Sequence, residues 1–202
     1  MRMKKTLFLF ALGITYICFS LFPLHAEEPE PEKVQKKVPE GFSFQILKDI
    51  GGKVLKPKGW FFERIPMGKT MAYRITQDKP NKDGEFLTGL TINSILQVPE
   101  SSGISPSAYA QRFISEKSES GDVIESFKPE KLESMERSGV TVVREQKILG
   151  ITQPFWIHYT IFANDKTGTL YIFVFGCPSK SLKDTLPTFQ EMLSRIILHQ
   201  DV

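Results

Sequence analysis

Cysteine is nearly missing from this chain. There are two in 202 residues, and one of them, Cys18, lies in an apolar N-terminal run. That excludes a disulfide framework, which needs paired cysteines, and a zinc site of the multi-cysteine kind. Histidine is almost as scarce. The three are His25, His158 and His199, with no His-x-His or His-Glu-x-x-His to share a metal. No Gly-x-Ser-x-Gly supplies a nucleophile elbow, and no Gly-x-x-x-x-Gly-Lys-Ser/Thr supplies a phosphate loop. A surplus of one charge is missing too, once the N-terminus is set aside. Arg2, Lys4 and Lys5 all precede the first acidic residue, Glu27; without them 23 basic residues stand against 23 acidic ones. A neutral chain has no basic footprint for nucleic acid. Metal, cofactor and catalytic residues are therefore all expected to be none.

What is present begins with a leader. Residues 1–5 are positive, residues 7–22 are apolar, Pro23 breaks the run and Ala26 is a small residue at a cleavage point. This is the pattern of a secretory signal peptide over residues 1–26. Leu24 is larger than the residue usual at its place, and the apolar run approaches spanning length. The alternative is therefore an inner-membrane anchor over residues 7–24, the chain's one route to a membrane. Ile17 before Cys18 does not suit a bacterial lipobox. Residues 27–40 hold three prolines and many charges, too little apolar content to offset the entropy of ordering. They are expected to form a disordered tether. The protein is thus expected outside the cytoplasm, in the periplasm or beyond.

Residues 41–202 read as one domain. Its hub is residues 170–177, Leu-Tyr-Ile-Phe-Val-Phe-Gly-Cys. Both alternating sets are apolar, as in a central strand covered on both faces, and aromatic and β-branched residues favour strand over helix. Before it, residues 140–149 and 155–163 complete a three-strand meander, with residues 150–153 as the intervening turn. Earlier strands are expected over 42–46, 53–56, 60–65, 70–75 and 86–96. Residues 123–127 read as a short strand before a polar stretch. Ser105-Pro106 opens a helix, serine as N-cap and proline at the first position. Residues 181–198 form a second helix, with Leu182, Leu186, Phe189, Leu193, Ile196 and Ile197 along one face. Pro187 requires its regular part to begin near Asp184 or Thr185.

This order, with Pro57-Lys58-Gly59-Trp60, the strand over 140–149, Tyr159, Tyr171-Ile172-Phe173 and the final amphipathic helix, resembles the PsbP-like family. That family shares its fold with a Ran-binding nuclear-import factor. The resemblance implies an α+β domain, an antiparallel sheet sandwiched between helices, and a binding or assembly role on the outer side of a membrane. With no transit peptide, the expected protein is a non-enzymatic envelope module whose partner is another envelope protein. The alternatives are an enzyme of unrecognised type using His158, Glu145 or Cys177, and a lipid or ligand carrier with a hollow between sheet and helices.

One polar cluster follows from the pattern. A four-residue turn over 150–153 sets Glu145 opposite His158 and Lys147 opposite Trp156, because directly opposed residues share a face. The carboxylate would then favour the protonated imidazole. Cys177, inside an apolar strand, reads as a buried hydrophobe. Trp60, Phe61 and Phe62 read either as a binding patch or as core.

Overall fold

The computed structural model of the protein describes residues 38–68 and 70–198. The expected leader, residues 27–37 of the tether, Lys69 and residues 199–202 lie outside the described residues. The first strands, β1 (Phe42–Leu47) and β2 (Gly52–Pro57), pair antiparallel around a 3₁₀ turn at Lys48–Ile50. Then come β3 (Phe61–Met67), β4 (Thr70–Thr76) and β5 (Gly89–Ile95). Helices α1 (Val98–Ser102) and α2 (Pro106–Glu119) lead to β6 (Asp122–Leu132), β7 (Met135–Ile148), β8 (Ile151–Asn164) and β9 (Thr169–Pro178). Helix α3 (Leu182–Ser194) and the two-residue β10 (Ile197–Leu198) close the chain.

Seven strands form one antiparallel sheet in the order β3-β4-β5-β9-β8-β7-β6, and β1-β2-β10 form a smaller one. The apolar hub strand β9 is the fourth of the seven, which is why neither of its faces can be polar. Its odd-numbered residues Tyr171, Phe173, Phe175 and Cys177 pack with Phe189 and Met192 of α3, with Leu47 and Val54 of the small sheet and with Ile50 of the turn between β1 and β2. Its even-numbered Leu170 and Ile172 pack with Ala110 on α2 and Val98 on α1. The fold is therefore α+β, an antiparallel sheet with helices packed on its two faces, as the resemblance implied.

Local chemistry sets the helix starts. Ser105 Oγ accepts from the Ala108 N–H at 3.2 Å, and Pro106 takes the first helical position. Asp165, in the β8–β9 turn, accepts from Ser107 N–H and Oγ at 2.8 and 2.7 Å, a carboxylate on the positive end of α2. Between the two sheets, Asp49 accepts from Arg64 Nε and Nη2 at 2.6 and 2.5 Å and from the Tyr73 hydroxyl at 2.5 Å. The guanidinium beside it holds the Asp49 carboxyl below the usual range, and burial helped by Asp49 pushes Tyr73 up to about 12.

Several expectations need correction. The second helix begins at Leu182 with Pro187 inside it, and ends at Ser194 rather than continuing to 198. Ile197 lies in β10 and is 41% exposed, so it leaves the apolar stripe. The strand expected over 86–96 is shorter, because Asp78 draws the N–H groups of Leu87 and Thr88 into a loop at 2.9 and 3.3 Å. The polar stretch after residue 127 continues as the edge strand β6, with bulges that break its pairing to β7. Among the described residues, no helix is long and apolar enough to cross a membrane.

Candidate functional site

The β7–β8 turn decides where the polar residues fall. Its central residues are two, Leu149 and Gly150, with φ of 52° and 77°. Both are positive, as a two-residue turn of type I′ needs. Ile148 therefore faces Ile151, and the pairing runs outward from there. Glu145 faces Pro154, Lys147 faces Thr152, Val143 faces Trp156 and Thr141 faces His158. The expected pairs Glu145–His158 and Lys147–Trp156 are not made. The four residues still share a face of the sheet, because the displacement along β7 is an even number of residues. Glu145 and Lys147 stand exposed near the tip of the hairpin, while Trp156 and His158 are buried beneath α3.

His158 is held on every side. Its Nδ1 lies 2.8 Å from Thr141 Oγ1, and its Nε2 lies 2.8 Å from Thr160 Oγ1. The Trp156 ring stacks on it at 5.8 Å, while Phe189 and Phe127 meet it edge-on at 5.1 and 5.4 Å. The residue is 8% exposed. Burial lowers its pKa to about 4, the reverse of the rise that a Glu145 partner would have produced. The neutral ring suits two hydroxyls well, since one accepts from its N–H and the other donates to its bare nitrogen. The nearest resource for proton transfer is thus committed to structure.

Above this imidazole the sheet is open. A groove of about 480 Å³ has Gly139, His158, Thr160 and Phe162 among its floor residues, with Leu193 at the end of α3 and Ile196 just after it on one wall. The opposite wall belongs to β6. There Phe127 is 40% exposed, and Lys128, Glu130 and Arg137 line the rim. Arg137 donates to Glu130 at 2.5 Å, so Lys128 is left to set the sign at that lip. Glycine is required at 139 by close approach, because a Cβ there would collide with the Tyr159 carbonyl oxygen and press on Phe127. A second hollow continues the groove past Phe162 and Ile196 toward Leu132, Met135 and β10.

The remaining candidate groups behave as core or surface. Cys177 is fully buried; burial pushes its thiol up, and Thr185 Oγ1 donates to its sulfur at 3.4 Å. Phe62 is half-buried and stacks on Tyr73 at 6.0 Å, Trp60 packs at the edge of the same core, and Phe61 is exposed. Among the described residues, no group of three or more His, Cys, Asp or Glu side chains converges on a common point. The sequence reading missed Thr141, Thr160, Phe127 and Arg137. A two-residue turn ending in Gly150 was the one signal that could have found Thr141, since it fixes every pair further along the hairpin.

No family model matches the chain, and no curated protein does. Among solved structures, it is similar to the cyanobacterial PsbP (CyanoP) from Synechocystis sp. PCC 6803. That match has a TM-score of 0.46 and 11% identity, and covers 84% of this chain and 100% of that one. It is also similar to the Saccharomyces cerevisiae Ran-binding protein Mog1p, with a TM-score of 0.44 and 12% identity, covering 77% of this chain and 94% of that one. At these identities neither likeness carries over a partner, a ligand or a role.

Proposed function

We propose that this chain is an exported binding module, not an enzyme, and that its groove over His158 receives a segment of another envelope protein. The observation that carries this reading is the lip of the groove. Phe127, on the edge strand β6, presents a half-exposed ring beside the groove. Aromatic anchors set beside a recess, with charges at the rim, are what protein-recognition surfaces concentrate. The volume also exceeds the roughly 300 Å³ at which pockets begin to hold sizeable groups. Export rests on the leader pattern of residues 1–26. Of the three side chains considered for catalysis, two are spent otherwise, both His158 nitrogens on threonine hydroxyls and the Cys177 thiol on the core, and Glu145 stands alone at the exposed hairpin tip.

The test is site-specific cross-linking in the native host. A photoreactive side chain replacing Phe127 is expected to give one discrete protein adduct. The same group at exposed Lys180, in the short turn between β9 and α3, is expected not to. Identical adducts from both positions, or none from position 127, would remove the groove as the binding surface.

A further inference from the structure

The opposite face of the sheet carries a second cleft that the groove does not explain. It lies beyond the cover of α2, where Gly89 of β5 and Gly176 of β9 pair directly. Its volume is about 220 Å³, and its apolar walls include Phe86, Ile148, Phe155 and Val174. The two glycines have different reasons to be there. A Cβ on Gly89 would collide with the Ile75 carbonyl oxygen and press on the Phe86 ring. A Cβ on Gly176 would meet nothing nearer than the Trp156 carbonyl oxygen at 3.9 Å, and its φ is not among the positive ones. Glycine weakens a strand interior, yet at 176 neither strain nor crowding calls for it. What the missing side chain does is leave the floor of the cleft empty.

One wall carries a cation without a counter-ion. Arg144 Nη1 donates to Ser120 Oγ at 3.1 Å, and Nη2 reaches the Tyr159 hydroxyl at 3.4 Å. With the Gln146 amide oxygen turned toward it, that oxygen accepts from Nη2 at 2.8 Å and Nε at 2.9 Å. All three partners are neutral. Among the described residues, no carboxylate forms an ion pair with Arg144. Glu85 lines the same cleft, but its Oε2 accepts from Asn81 Nδ2 at 3.1 Å and from the Leu149 N–H at 3.3 Å. It ties the β4–β5 loop to the β7–β8 turn. A guanidinium is always charged and its planar fork matches a carboxylate. The long bond to Tyr159 is readily exchanged for such a partner.

We infer that this cleft binds a small carboxylate with a short apolar body, the head on Arg144 and the body over Gly89 and Gly176. The volume falls below the roughly 300–1,000 Å³ of drug-sized pockets, so the body is a single ring or a short alkyl chain. The site is on the other face from the proposed protein groove and stands or falls independently of it.

The test uses hexanoate and benzoate as probes, with hexanol and benzamide as their uncharged counterparts, followed by amide NMR titration of the full chain. The carboxylates are expected to shift Gly89, Gly176 and Arg144 and to bind at least tenfold more tightly than the uncharged pair. Arg144→Gln is expected to remove that tenfold preference. Gly176→Val is expected to abolish binding while keeping the melting temperature, because there is room for its Cβ and valine favours strands. If Gly176→Val melts early, Arg144→Gln alone decides. Equal binding of charged and uncharged probes, unchanged carboxylate binding in Arg144→Gln, or no binding at all overturns the inference.

Discussion

Thr141 and His158 stand directly opposite each other on β7 and β8, and a 2.8 Å hydrogen bond joins Oγ1 to Nδ1. With Thr160 on the other nitrogen and three aromatic rings around it, the imidazole is a neutral rivet in the sheet. The charged groups sharing its groove, Lys128, Glu130 and Arg137, sit at the rim. Burial is what governs its titration.

The pH dependence follows from that. The native ring stays neutral down to about pH 4, whereas in the unfolded chain it takes a proton near its ordinary value of about 6.5. Between those values the unfolded state holds more protons, so stability falls as pH drops. The contribution is complete above about 6.5, and below about 4 nothing more is lost. A shift of this size corresponds to something on the order of 3 kcal/mol. Denaturant melts at pH 7.5 and 4.5 should show a larger loss for the natural chain than for His158→Gln. Equal losses would mean that His158 does not titrate as a buried group.

How far the sequence revealed all this depends on the local signal. Residues 170–177 announced the sheet's centre because both of their faces are apolar. Ser105-Pro106 announced α2 through its own capping chemistry. The edge strand β6 was legible only over residues 123–127: both of its faces are exposed, so no period carries the strand further, and Pro129 and Glu130 look like loop residues. Two-residue β10 is too short to carry a pattern. At the candidate site, the face that holds His158 was legible but its partner was not, since an even displacement preserves faces and changes pairs. The clefts were not legible at all: they are set by where α2 and α3 stop and, at Gly176, by a missing side chain whose surroundings only the fold supplies.

Phe189 is the keystone of the α3 face. Its ring stacks on Phe175 at 4.1 Å and meets His158 and Trp156 at 5.1 and 5.6 Å. Phe189→Ala should cost about 3–5 kcal/mol, as for buried aromatic rings generally. Denaturant unfolding measures it. A loss below about 1 kcal/mol, within reach of surface substitutions, would mean that α3 is not docked on the sheet.

Cys177 should be inert in the native protein. It has no exposed surface, and its thiol is pushed up by burial, so little of the reactive thiolate is present or reachable. Thiol labelling followed by peptide mass mapping should find position 177 unmodified until denaturant is added, then rapidly modified. Modification of 177 in the native protein at the rate of the unfolded chain would restore it as a candidate nucleophile.

The last prediction concerns Leu149, a leucine at φ 52° in the first place of the β7–β8 turn. A side chain with a Cβ pays about 1–2 kcal/mol in that left-handed region, where asparagine and glycine are the residues a type I′ turn prefers. The leucine side chain is 39% exposed, so its removal gives up only part of a buried contact. Its backbone N–H to Glu85 does not depend on the side chain. Leu149→Asn should therefore stabilise the protein by about 0.5–1 kcal/mol, the usual range for such a repair. The companion substitution tests the cause. Gly150 has φ 77° with open space around a Cβ, so Gly150→Ala has no steric neighbour to meet and should still destabilise, through backbone conformation alone. Both effects are read in one set of denaturant melts. A neutral or destabilising Leu149→Asn together with a neutral Gly150→Ala would mean that the turn is not of this type, and the pairing of Thr141 with His158 would go with it.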